Sequence, residues 1–502
     1  ELLRTPLREL SPQQRSQLQQ ISTRCGQQDG GVTAALLLRS VLPEVSQETE
    51  SSDAPLPSLL ETIGFDSQQH EQIRAELRSG RYGLAQNRLP ASTTIEDVRD
   101  EDVIDVRDAV DAKYHAVGRQ AIQDGQVAVV TLAAGVGSRW TEGAGVCKAL
   151  HPFAKMGGKH RSFLEVHLAK NRAARQRYDA VIPHVFTTSW LTDQPIRRHL
   201  DGHTNYGMGS RLHVSTGRSV GLRMVPMVRD LRFEWEETAQ QVLDQQQQKV
   251  RESVRAALIS WAQRCGEATD YTDNVPAQCM HPVGHWYEVP NLLRSGTLAK
   301  MLDQQPQLQT LLLHNIDTLG AGVDAGLLGL HLSGGQTLTF EVIPKRLEDR
   351  GGGLARVDGR PRLIEGLAMP DERIEFQLRY YNSMTTWIQI DALLQAMGLD
   401  RNSLSNTRRV DDAVRKLAAR MPTYITLKDV KKRWGHAQED IYPVAQFEKL
   451  WGDMTTIPEM ESRYFVTTRD RGQQLKEQAQ LDGWKQDGSA DYIESLCDWG
   501  SS

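Results

Sequence analysis

Residues 127–140 of this chain read Val-Ala-Val-Val-Thr-Leu-Ala-Ala-Gly-Val-Gly-Ser-Arg-Trp. The first six residues form a short, mostly apolar run, which is typical of a strand buried on both faces of a sheet. Small residues and two glycines follow directly, so the backbone can approach an anion closely and consecutive amide groups can bind phosphate oxygens. The stretch therefore predicts a buried strand that ends in a phosphate-binding loop, with Arg139 and Lys148 as cations for one polyphosphate.

Four interpretations of this loop compete. A dinucleotide-binding fingerprint needs a third glycine where Trp140 stands, and a Walker A loop needs a terminal Gly-Lys-Ser/Thr that is absent. A tight turn with solvated basic residues would need no ligand. The fourth interpretation is the signature loop of nucleotidyltransferases that build sugar nucleotides, Leu-x-x-Gly-x-Gly-Ser/Thr-Arg followed by a lysine. This chain resembles that signature at Leu132, Gly135, Gly137, Ser138, Arg139 and Lys148.

Strand-like and helix-like patterns alternate downstream of the loop. Apolar runs at 180–186, 311–313 and 338–342 predict strands, and the patterns at 163–176 and 289–304 predict helices. Such alternation is typical of a mainly parallel sheet with crossover helices. We therefore predict an α/β fold with a Rossmann-like nucleotidyltransferase domain and a mixed, mainly parallel sheet.

Changes in composition divide the chain into three predicted regions. Residues 1–122 are charged and predicted to be a mostly helical accessory region, and residues 123–415 carry the predicted catalytic domain. Residues 416–502 return to mixed helix and strand, and we expect this small α+β region to complete or flank the active site. A polar stretch at 233–264 predicts a long helical, solvent-facing insertion.

The composition narrows the class of protein. The 502 residues are 39% hydrophobic and 25% charged with a net charge of −5, which argues against a nucleic-acid binder that relies on bulk charge. No run approaches the ~18 apolar residues of a membrane span. The five cysteines are scattered and form no CxxC pair, so a reducing compartment is expected, the cytoplasm or an organelle.

A second candidate element ends the apolar run at 311–314, where Asn315 and Asp317 follow. Open α/β sheets bind ligands at the carboxyl ends of their strands. An aspartate at such a position suits Mg²⁺, which takes hard oxygen ligands and keeps water and substrate phosphates. Asp317 is therefore a predicted Mg²⁺ ligand, the alternative being a helix cap or turn former.

Further motifs follow in order. Residues 282–285 read Pro-Val-Gly-His, residues 341–353 read Glu-Val-Ile-Pro-Lys-Arg-Leu-Glu-Asp-Arg-Gly-Gly-Gly, residues 363–365 read Leu-Ile-Glu, and residues 381–388 read Tyr-Asn-Ser-Met-Thr-Thr-Trp-Ile. With the glycine loop and Asn315-x-Asp317-x-Leu-Gly, this order resembles the UTP–hexose-1-phosphate uridylyltransferases, the family of UDP-glucose and UDP-sugar pyrophosphorylases. The resemblance covers residues 127–390 and is weaker from 420 to 470.

The resemblance implies a reaction in which a sugar 1-phosphate attacks the α-phosphorus of UTP and pyrophosphate leaves, with Mg²⁺ as cofactor at Asp317. The implied partners are therefore UTP and a hexose 1-phosphate, with glucose 1-phosphate favoured, and neither nucleic acid nor membrane. Arg139 and Lys148 are the implied catalytic residues. The implied nucleotide-binding residues are Leu132, Ala133, Ala134, Gly135, Gly137, Ser138, Gly284 and His285. The implied sugar-phosphate-binding residues are Asn315, Glu341, Lys345, Gly352, Gly353, Glu365, Asn382, Lys428 and Arg469.

Structural explanations compete for five of these positions. His285 would otherwise be a packed core histidine, Glu341 and Lys345 a surface pair, Glu365 a strand-end surface residue, and Asn382 a turn former. The chain also departs from the family at several positions. Trp286 and Tyr287 replace Gly-Asp and would reshape the pocket, Met384 and Thr385 replace two asparagines, and Thr216 stands where a glutamine would contact uracil.

The last departure concerns a cation. The family has a lysine in Ser-Arg-Phe-x-Pro-Val-Lys, and here only Arg469 follows the corresponding element, shifted by one position, with Lys428 as an alternative. Arginine keeps the charge but has a different geometry. Two other functions therefore stay open: a catalytically weak protein that binds sugar nucleotides on the same fold, and an NAD-binding oxidoreductase supported only by Gly135 and Gly137.

Overall fold

The computed structural model of the chain describes residues 12, 15, 55–135, 140, 147–237, 245–435 and 438–500. The strands are β1 (Ile95–Asp97), β2 (Ile104–Asp105), β3 (Val127–Leu132), β4 (Pro152–Met156), β5 (Lys159–Ser162), β6 (His184–Thr188), β7 (Leu212–Thr216), β8 (Val220–Leu222), β9 (Met280–Pro282), β10 (Thr310–Asn315), β11 (Leu338–Pro344), β12 (Gly353–Val357), β13 (Arg360–Ile364), β14 (Tyr380–Gln389), β15 (Tyr424–Gly435), β16 (Gln438–Glu448) and β17 (Ser462–Val466).

The α-helices of the described residues lie between and beside these strands. They are α1 (Leu56–Ile63), α2 (Ser67–Ser79), α3 (Ala112–Gln123), α4 (Phe163–Tyr178), α5 (Asp193–Gly202), α6 (Val228–Glu237), α7 (Gln245–Cys265), α8 (Pro276–Cys279), α9 (Glu288–Arg294), α10 (Thr297–Gln304), α11 (Ala325–Gly334), α12 (Ile390–Ala396), α13 (Thr407–Arg420), α14 (Arg469–Gly472), α15 (Ala479–Gln486) and α16 (Ser489–Ser495). In the part of the chain that the structure describes, none of these helices combines the length and apolar character that crossing a membrane requires.

The main element is an eight-stranded sheet with the order β2-β17-β11-β14-β10-β3-β6-β7. Neighbouring strands pair in parallel except at β14, which runs antiparallel to both β10 and β11. The predicted fold class, a mixed and mainly parallel α/β sheet with crossover helices, is therefore confirmed.

The sheet is covered on both faces, which explains its apolar strands. Along β3, Val127 and Val129 pack into the cluster that includes residues of α3 and α11. Ala128 and Val130 point the other way, into the cluster that includes residues of α9 and α10. Because successive side chains of a strand alternate between faces, a sheet covered on both sides needs apolar residues at consecutive positions.

The predicted elements agree with the structure in most places. The helix predicted at 163–176 is α4, which begins with a capping box between Ser162 and Glu165 and ends at Asp179, whose φ of 48° is left-handed. The pattern at 289–304 forms two helices, α9 and α10. The strand predicted across 180–186 starts only at His184, because residues 179–183 return from the helix to the sheet.

The polar stretch at 233–264 belongs to α6 and α7, with residues 238–244 outside the described part. The edge strand β2 comes from the predicted N-terminal region, its neighbour β17 comes from the predicted C-terminal region, and both join the same sheet. The division at residues 122 and 415 itself stays a prediction.

The strand order reverses between β3 and β10. From β3 the chain continues to β6 and β7 on one side, and later returns to β10 on the other side of β3. Leu132 at the end of β3 lies opposite Asn315 at the end of β10. In open α/β sheets the crevice at such a switch point is where ligands bind. The glycine loop after β3 and Asp317 after β10 leave the sheet at this crevice.

Candidate functional site

A cavity of about 450 Å³ lies at the switch point. This volume is within the usual range for a small-molecule site. The cavity brings together seven residues that the sequence predicted, although they are spread over more than 240 positions: Gly135, Lys148, His285, Asn315, Asp317, Glu365 and Asn382. It is also lined by Trp140, Arg350, Gly351, Tyr381, Met384, Gln474 and Lys476.

At the base of the cavity, Lys148 and Asp317 form an ion pair. The Lys148 Nζ donates to Asp317 Oδ2 at 2.7 Å, and the two side chains are only 10% and 13% exposed. The Lys148 ammonium also lies 5.4 Å from the centre of the Phe163 ring. The pair therefore places one cation and one carboxylate at the strand ends, where a polyphosphate with its metal would need both.

Helix α4 fixes the loop that carries Asp317. The His167 Nε2 lies 2.9 Å from the carbonyl oxygen of Ile316, and the Lys170 ammonium donates to the carbonyl oxygens of Leu319 and Ala321. Burial lowers the pKa of Lys170 to about 7. Since these contacts hold backbone on both sides of Asp317, its carboxylate is kept in place independently of Lys148.

The fit of a metal ion can be judged from Asp317 itself. Its Oδ1 is buried and, among the described residues, has no hydrogen-bond partner. An unpaired buried carboxylate oxygen costs free energy, which a bound cation would recover. The described residues contain no group of three or more His, Cys, Asp or Glu side chains that would form an all-protein metal site. One carboxylate oxygen in a phosphate-sized cavity fits Mg²⁺ held mainly by substrate phosphates and water.

His285 presents a neutral imidazole to the cavity. Its Nδ1 accepts a hydrogen bond from the backbone N–H of Trp451 at 3.0 Å, so the proton is on Nε2. Burial, helped by the positive charge of Lys476, lowers the pKa of His285 to about 4. The preceding Gly284 has a φ of 94°, and a Cβ there would lie 2.2 Å from the carbonyl oxygen of Lys449. Only glycine allows this turn, which directs the imidazole into the cavity.

Glu365 lies close enough to the buried Asp453 to be affected by its charge. Burial, and then the negative charge of Asp453, raises the pKa of Glu365 well above its ordinary value, while the positive charge of Lys476 opposes the shift. Burial likewise raises the pKa of Asp453, whose Oδ1 accepts a hydrogen bond from the Tyr424 hydroxyl at 3.1 Å. A protonated Glu365 carboxyl can both donate to and accept from a sugar hydroxyl.

Asn382 and Met384 lie where β14 is irregular. The pairing of β14 with β11 shifts register between Phe340 and Val342, and Met384 has a left-handed φ of 62°. The Asn382 Oδ1 accepts a hydrogen bond from the Met384 N–H at 2.9 Å. Asn382 and Met384 are two residues apart, so they can share one face of the strand, and both line the cavity.

Four charged residues that were predicted to bind the sugar phosphate do not line the cavity, and two of them, Glu341 and Lys345, are held in separate buried ion pairs. Glu341 is fully buried, where it accepts two hydrogen bonds from Arg471 at 2.7 and 2.8 Å and one from Trp387 at 2.9 Å. Lys345 pairs with Glu375 at 3.0 Å. Glu341 and Lys345 therefore do not form the predicted surface pair with each other, and Glu341 lies in the core.

Arg469 and Lys428 are the other two predicted residues that do not line the cavity. Arg469 donates to Asp349 at 2.7 and 3.3 Å and to the carbonyl oxygen of Pro344 at 2.7 Å. Lys428 is exposed on the hairpin formed by β15 and β16. Neither residue therefore supplies the cavity with the cation that the family motif implies.

The glycines at 351–353 act through their backbone. Gly351 lines the cavity, and the amide groups of Gly351 and Gly352 donate to the Glu375 carboxylate at 2.9 and 3.0 Å. Lys345 donates to the carbonyl oxygen of Gly352 at 3.1 Å. Gly352 has a φ of 98°, and Gly353 begins β12. Lys345 and Glu375 thus brace the glycine turn without reaching the cavity.

The first part of the glycine loop supports the site from below. Leu132 and Ala133 are buried, and the carbonyl oxygen of Ala134 accepts a hydrogen bond from the Ser189 hydroxyl at 2.9 Å. Gly135 is exposed and lines the cavity. The predicted residues Gly137, Ser138 and Arg139 lie outside the described residues, so their roles stay predictions.

Two of the sites at which this chain differs from the family motifs lie away from the cavity. Trp286 is fully buried and its Nε1 donates to the Met454 sulfur at 3.0 Å, and Tyr287 is buried beside it. The expectation that these rings reshape the pocket is corrected, because the tight turn that aims His285 outward aims its two neighbours into the core. The Thr216 hydroxyl donates to Asp193 at 2.8 Å and also lies outside the cavity lining.

Six residues of the cavity were not predicted from the sequence: Trp140, Arg350, Gly351, Tyr381, Gln474 and Lys476. Gly351 and Tyr381 stand directly before the predicted residues Gly352 and Asn382, so adjacency is a signal that could have found them. Gln474 and Lys476 follow α14, in a segment without a motif. Only the folding of that segment against Asp317 brings them to the site.

Known proteins match part of this chain in sequence and most of it in fold. Residues 239–428 match the family model described as UTP–glucose-1-phosphate uridylyltransferase. The enzyme of that name from Musa acuminata is 31% identical over 140 residues, which are 26% of this chain and 30% of that protein. The one from Saccharomyces cerevisiae is 29% identical over 144 residues, 27% of this chain and 28% of that protein. The chain thus aligns with about 30% of the length of these curated relatives.

Solved structures share the fold over more of the chain. UDP-glucose phosphorylase from Trypanosoma brucei has a TM-score of 0.55 at 19% identity, covering 85% of this chain and 76% of that one. The uridine diphosphate N-acetylglucosamine pyrophosphorylase from the same organism has a TM-score of 0.56 at 16% identity, covering 88% and 78%. The family model and the curated relatives match part of this chain and support a relationship to the UDP-sugar pyrophosphorylase family, and the solved structures share its fold.

Proposed function

We propose that this chain is a nucleotidyltransferase that forms a UDP-sugar and pyrophosphate from UTP and a hexose 1-phosphate. The observation that carries the proposal is the cavity at the switch point, where Lys148, Asp317, His285, Glu365 and Asn382 converge. It offers a cation, a carboxylate with a free oxygen, and neutral hydrogen-bonding groups. These are the groups that phosphates, a metal ion and sugar hydroxyls require.

The reaction needs no protein nucleophile. A phosphate oxygen of the sugar 1-phosphate attacks the α-phosphorus of UTP and forms the new P–O bond. The bond between the α-phosphorus and the oxygen that bridges to the β-phosphorus breaks, and pyrophosphate leaves with that oxygen. Phosphoryl-type transfers of this kind depend mainly on positioning and on stabilising negative charge.

The residues at the base of the cavity serve the nucleotide. Backbone amide groups around Gly135 bind phosphate oxygens, and the Lys148 ammonium stabilises the charge that develops on the departing pyrophosphate. Lys148 keeps its place because its ammonium is already bound to Asp317 at 2.7 Å. The Nε2–H of the neutral His285 donates to a phosphate or ribose oxygen without adding a second charge.

Two other residues of the cavity serve the sugar. Glu365 in its protonated form and the Asn382 amide each offer a donor and an acceptor, and sugar hydroxyls can use both. Binding the sugar from these groups holds its phosphate toward the α-phosphorus, which is the positioning that the reaction requires.

Asp317 would hold Mg²⁺ through its free Oδ1, with Asn315 beside it. When bound, the ion would neutralise phosphate charge and orient the triphosphate. The Asp317→Asn variant tests this role. It should bind UTP in the absence of metal as well as the wild type does, yet lose the gain in UTP affinity that Mg²⁺ produces. An equal gain in both proteins would refute the assignment.

Glucose 1-phosphate is the favoured sugar substrate. The family model and the curated relatives carry glucose 1-phosphate in their names, which supports this choice. A neighbour described as an N-acetylglucosamine enzyme makes N-acetylglucosamine 1-phosphate the main competitor.

The test is pyrophosphate release from UTP with a panel of sugar 1-phosphates in the presence of Mg²⁺. We expect turnover, fastest with glucose 1-phosphate, and little with ATP or GTP in place of UTP. No release with any nucleotide and any sugar phosphate would refute the proposed enzyme. Tight UDP-glucose binding without turnover would instead support a protein that only binds sugar nucleotides. Met384 favours this alternative because it stands where the family motif has an asparagine.

A further inference from the structure

Among the described residues, the cations around the cavity differ in what they are bound to. Lys148 pairs with Asp317, Lys345 with Glu375, and Arg469 with Asp349. The last two are engaged away from the cavity. The family motif implied a second cation from the segment after β17, and the structure shows that Arg469 is not available for it.

Lys476 reaches the cavity from the same segment. The backbone N–H of the buried Leu475 donates to the carbonyl oxygen of Asp317 at 3.0 Å, and the Gln474 side chain donates to the carbonyl oxygen of Ser383 at 3.2 Å. These two contacts tie the segment to the metal-binding loop on one side and to the β14 bulge on the other. Lys476 is therefore held between the two halves of the cavity by its own neighbours.

The Lys476 ammonium is positioned by an aromatic residue rather than by a carboxylate. Its Nζ donates to the Tyr381 hydroxyl at 2.7 Å and lies 5.3 Å from the centre of that ring. No carboxylate of the described residues lies within ion-pair distance of it. Its charge acts on the two groups it faces, since it works against the raised pKa of Glu365 and helps lower that of His285.

A half-buried ammonium that lines a cavity without a counter-ion is a site for an anion. An ammonium has three donors, and Tyr381 takes only one. The charge of Lys476 acts on Glu365, the proposed sugar ligand, whereas Lys148 is paired with Asp317, the proposed metal ligand. This difference in partners favours Lys476 for the sugar phosphate and Lys148 for the nucleotide phosphates.

We propose that Lys476, positioned by Tyr381, binds the phosphate of the sugar 1-phosphate, which becomes the β-phosphate of the UDP-sugar. The inference rests on the proposed function for the identity of that phosphate. The ammonium contacts the attacking phosphate and stays with it in the product. Lys476 therefore takes the place that the sequence motif gives to Arg469, from a position seven residues later in the chain.

The experiment is calorimetric titration of the full chain with UDP-glucose, which carries the β-phosphate, and with UMP, which lacks it. The Lys476→Met variant keeps the aliphatic stem and removes the charge. A hydrogen bond to a charged group corresponds to roughly a 10- to 100-fold change in affinity. We expect a loss of that size for UDP-glucose and less than about threefold for UMP, since UMP makes no contact with this lysine.

Three further variants complete the design. Lys476→Arg should restore most of the UDP-glucose affinity because it restores the charge. Tyr381→Phe keeps the ring but removes the hydroxyl that positions the ammonium, and because the ammonium itself remains we expect a smaller loss, roughly 2- to 10-fold. Lys485→Met is the matched control, because Lys485 lies on the same stretch of chain and is exposed in a pair with Asp482. It should bind both ligands like the wild type.

An unchanged UDP-glucose affinity in Lys476→Met would overturn the inference, as would equal losses for UDP-glucose and UMP, or no binding of UDP-glucose by the wild type. The titration does not depend on turnover. Turnover by the wild type with unchanged binding by Lys476→Met would therefore remove the inference and leave the proposed function intact. If Lys476→Met weakens UDP-glucose binding as expected but the wild type shows no turnover, the inference stands and the proposed enzymatic function fails.

Discussion

The Lys148→Met substitution tests the proposed chemistry most directly. It removes the ammonium and retains an aliphatic side chain against Phe163, so the change is mainly one of charge. If Lys148 stabilises the departing pyrophosphate, its loss should raise the activation barrier by about 2–4 kcal/mol, as for other charge-stabilising donors. This corresponds to roughly a 30- to 1,000-fold fall in kcat.

The same substitution should lower stability, because it leaves Asp317 without a partner. The pair is 2.7 Å long and its side chains are 10% and 13% exposed, so solvent screens it only weakly. Losing a hydrogen bond to a buried charged group costs about 1.5–3 kcal/mol. The double variant Lys148→Met/Asp317→Asn removes both charges, and we expect it to melt above the single variant.

The assay is steady-state pyrophosphate release with UTP and sugar phosphate varied separately, beside thermal unfolding of the same preparations. Lys155→Met is the control, since Lys155 is an exposed lysine on the nearby strand β4. An effect confined to the KM for UTP would show ground-state binding rather than charge stabilisation in the transition state. A double variant that melts below Lys148→Met would refute the unpaired-carboxylate argument.

Three other predictions concern neighbouring positions. Met384→Ile should melt several degrees below Met384→Asn, because a φ of 62° suits asparagine and strains a β-branched residue; equal melting temperatures would contradict this. Arg469→Ala should lower stability by about 1.5–3 kcal/mol, because it leaves the Asp349 carboxylate unpaired; a loss of kcat at unchanged stability would instead return Arg469 to the active site. Because Glu365 has a raised pKa in the folded protein, its stabilising contribution is present at low pH and is lost as pH rises. Thermal melts of the wild type and Glu365→Gln between pH 5 and 8 should show the wild type falling relative to the variant as pH increases, and parallel curves would contradict this.

The parts of the site that the sequence predicted are those in which backbone and side chain obey local rules. The apolar run at 127–132 has to be a strand covered on both faces, and glycines after it have to form a turn. Asp317 follows from the same logic, because a strand of that composition ends where parallel sheets bind ligands. These arguments need only the residues within one element, so they hold before any tertiary contact is known.

The predictions that the structure moved all concern charged side chains whose partners lie far away in sequence. Glu341 was predicted as a ligand of the sugar phosphate, but Arg471, 130 residues later, binds it in the core. Arg469 was predicted as a cation for the site, but Asp349, 120 residues earlier, holds it. A sequence pattern shows that a charge is present, whereas the availability of that charge depends on tertiary pairing.

Lys476 illustrates the converse, because nothing in its immediate sequence marks it. Its position follows from one backbone hydrogen bond, between Leu475 and Asp317, which couples the segment after β17 to the loop after β10. That bond makes the proposed metal ligand and the proposed phosphate ligand parts of one structural unit. A shift of either strand end would therefore displace both groups together, so the fold couples their positions although they lie far apart in the sequence.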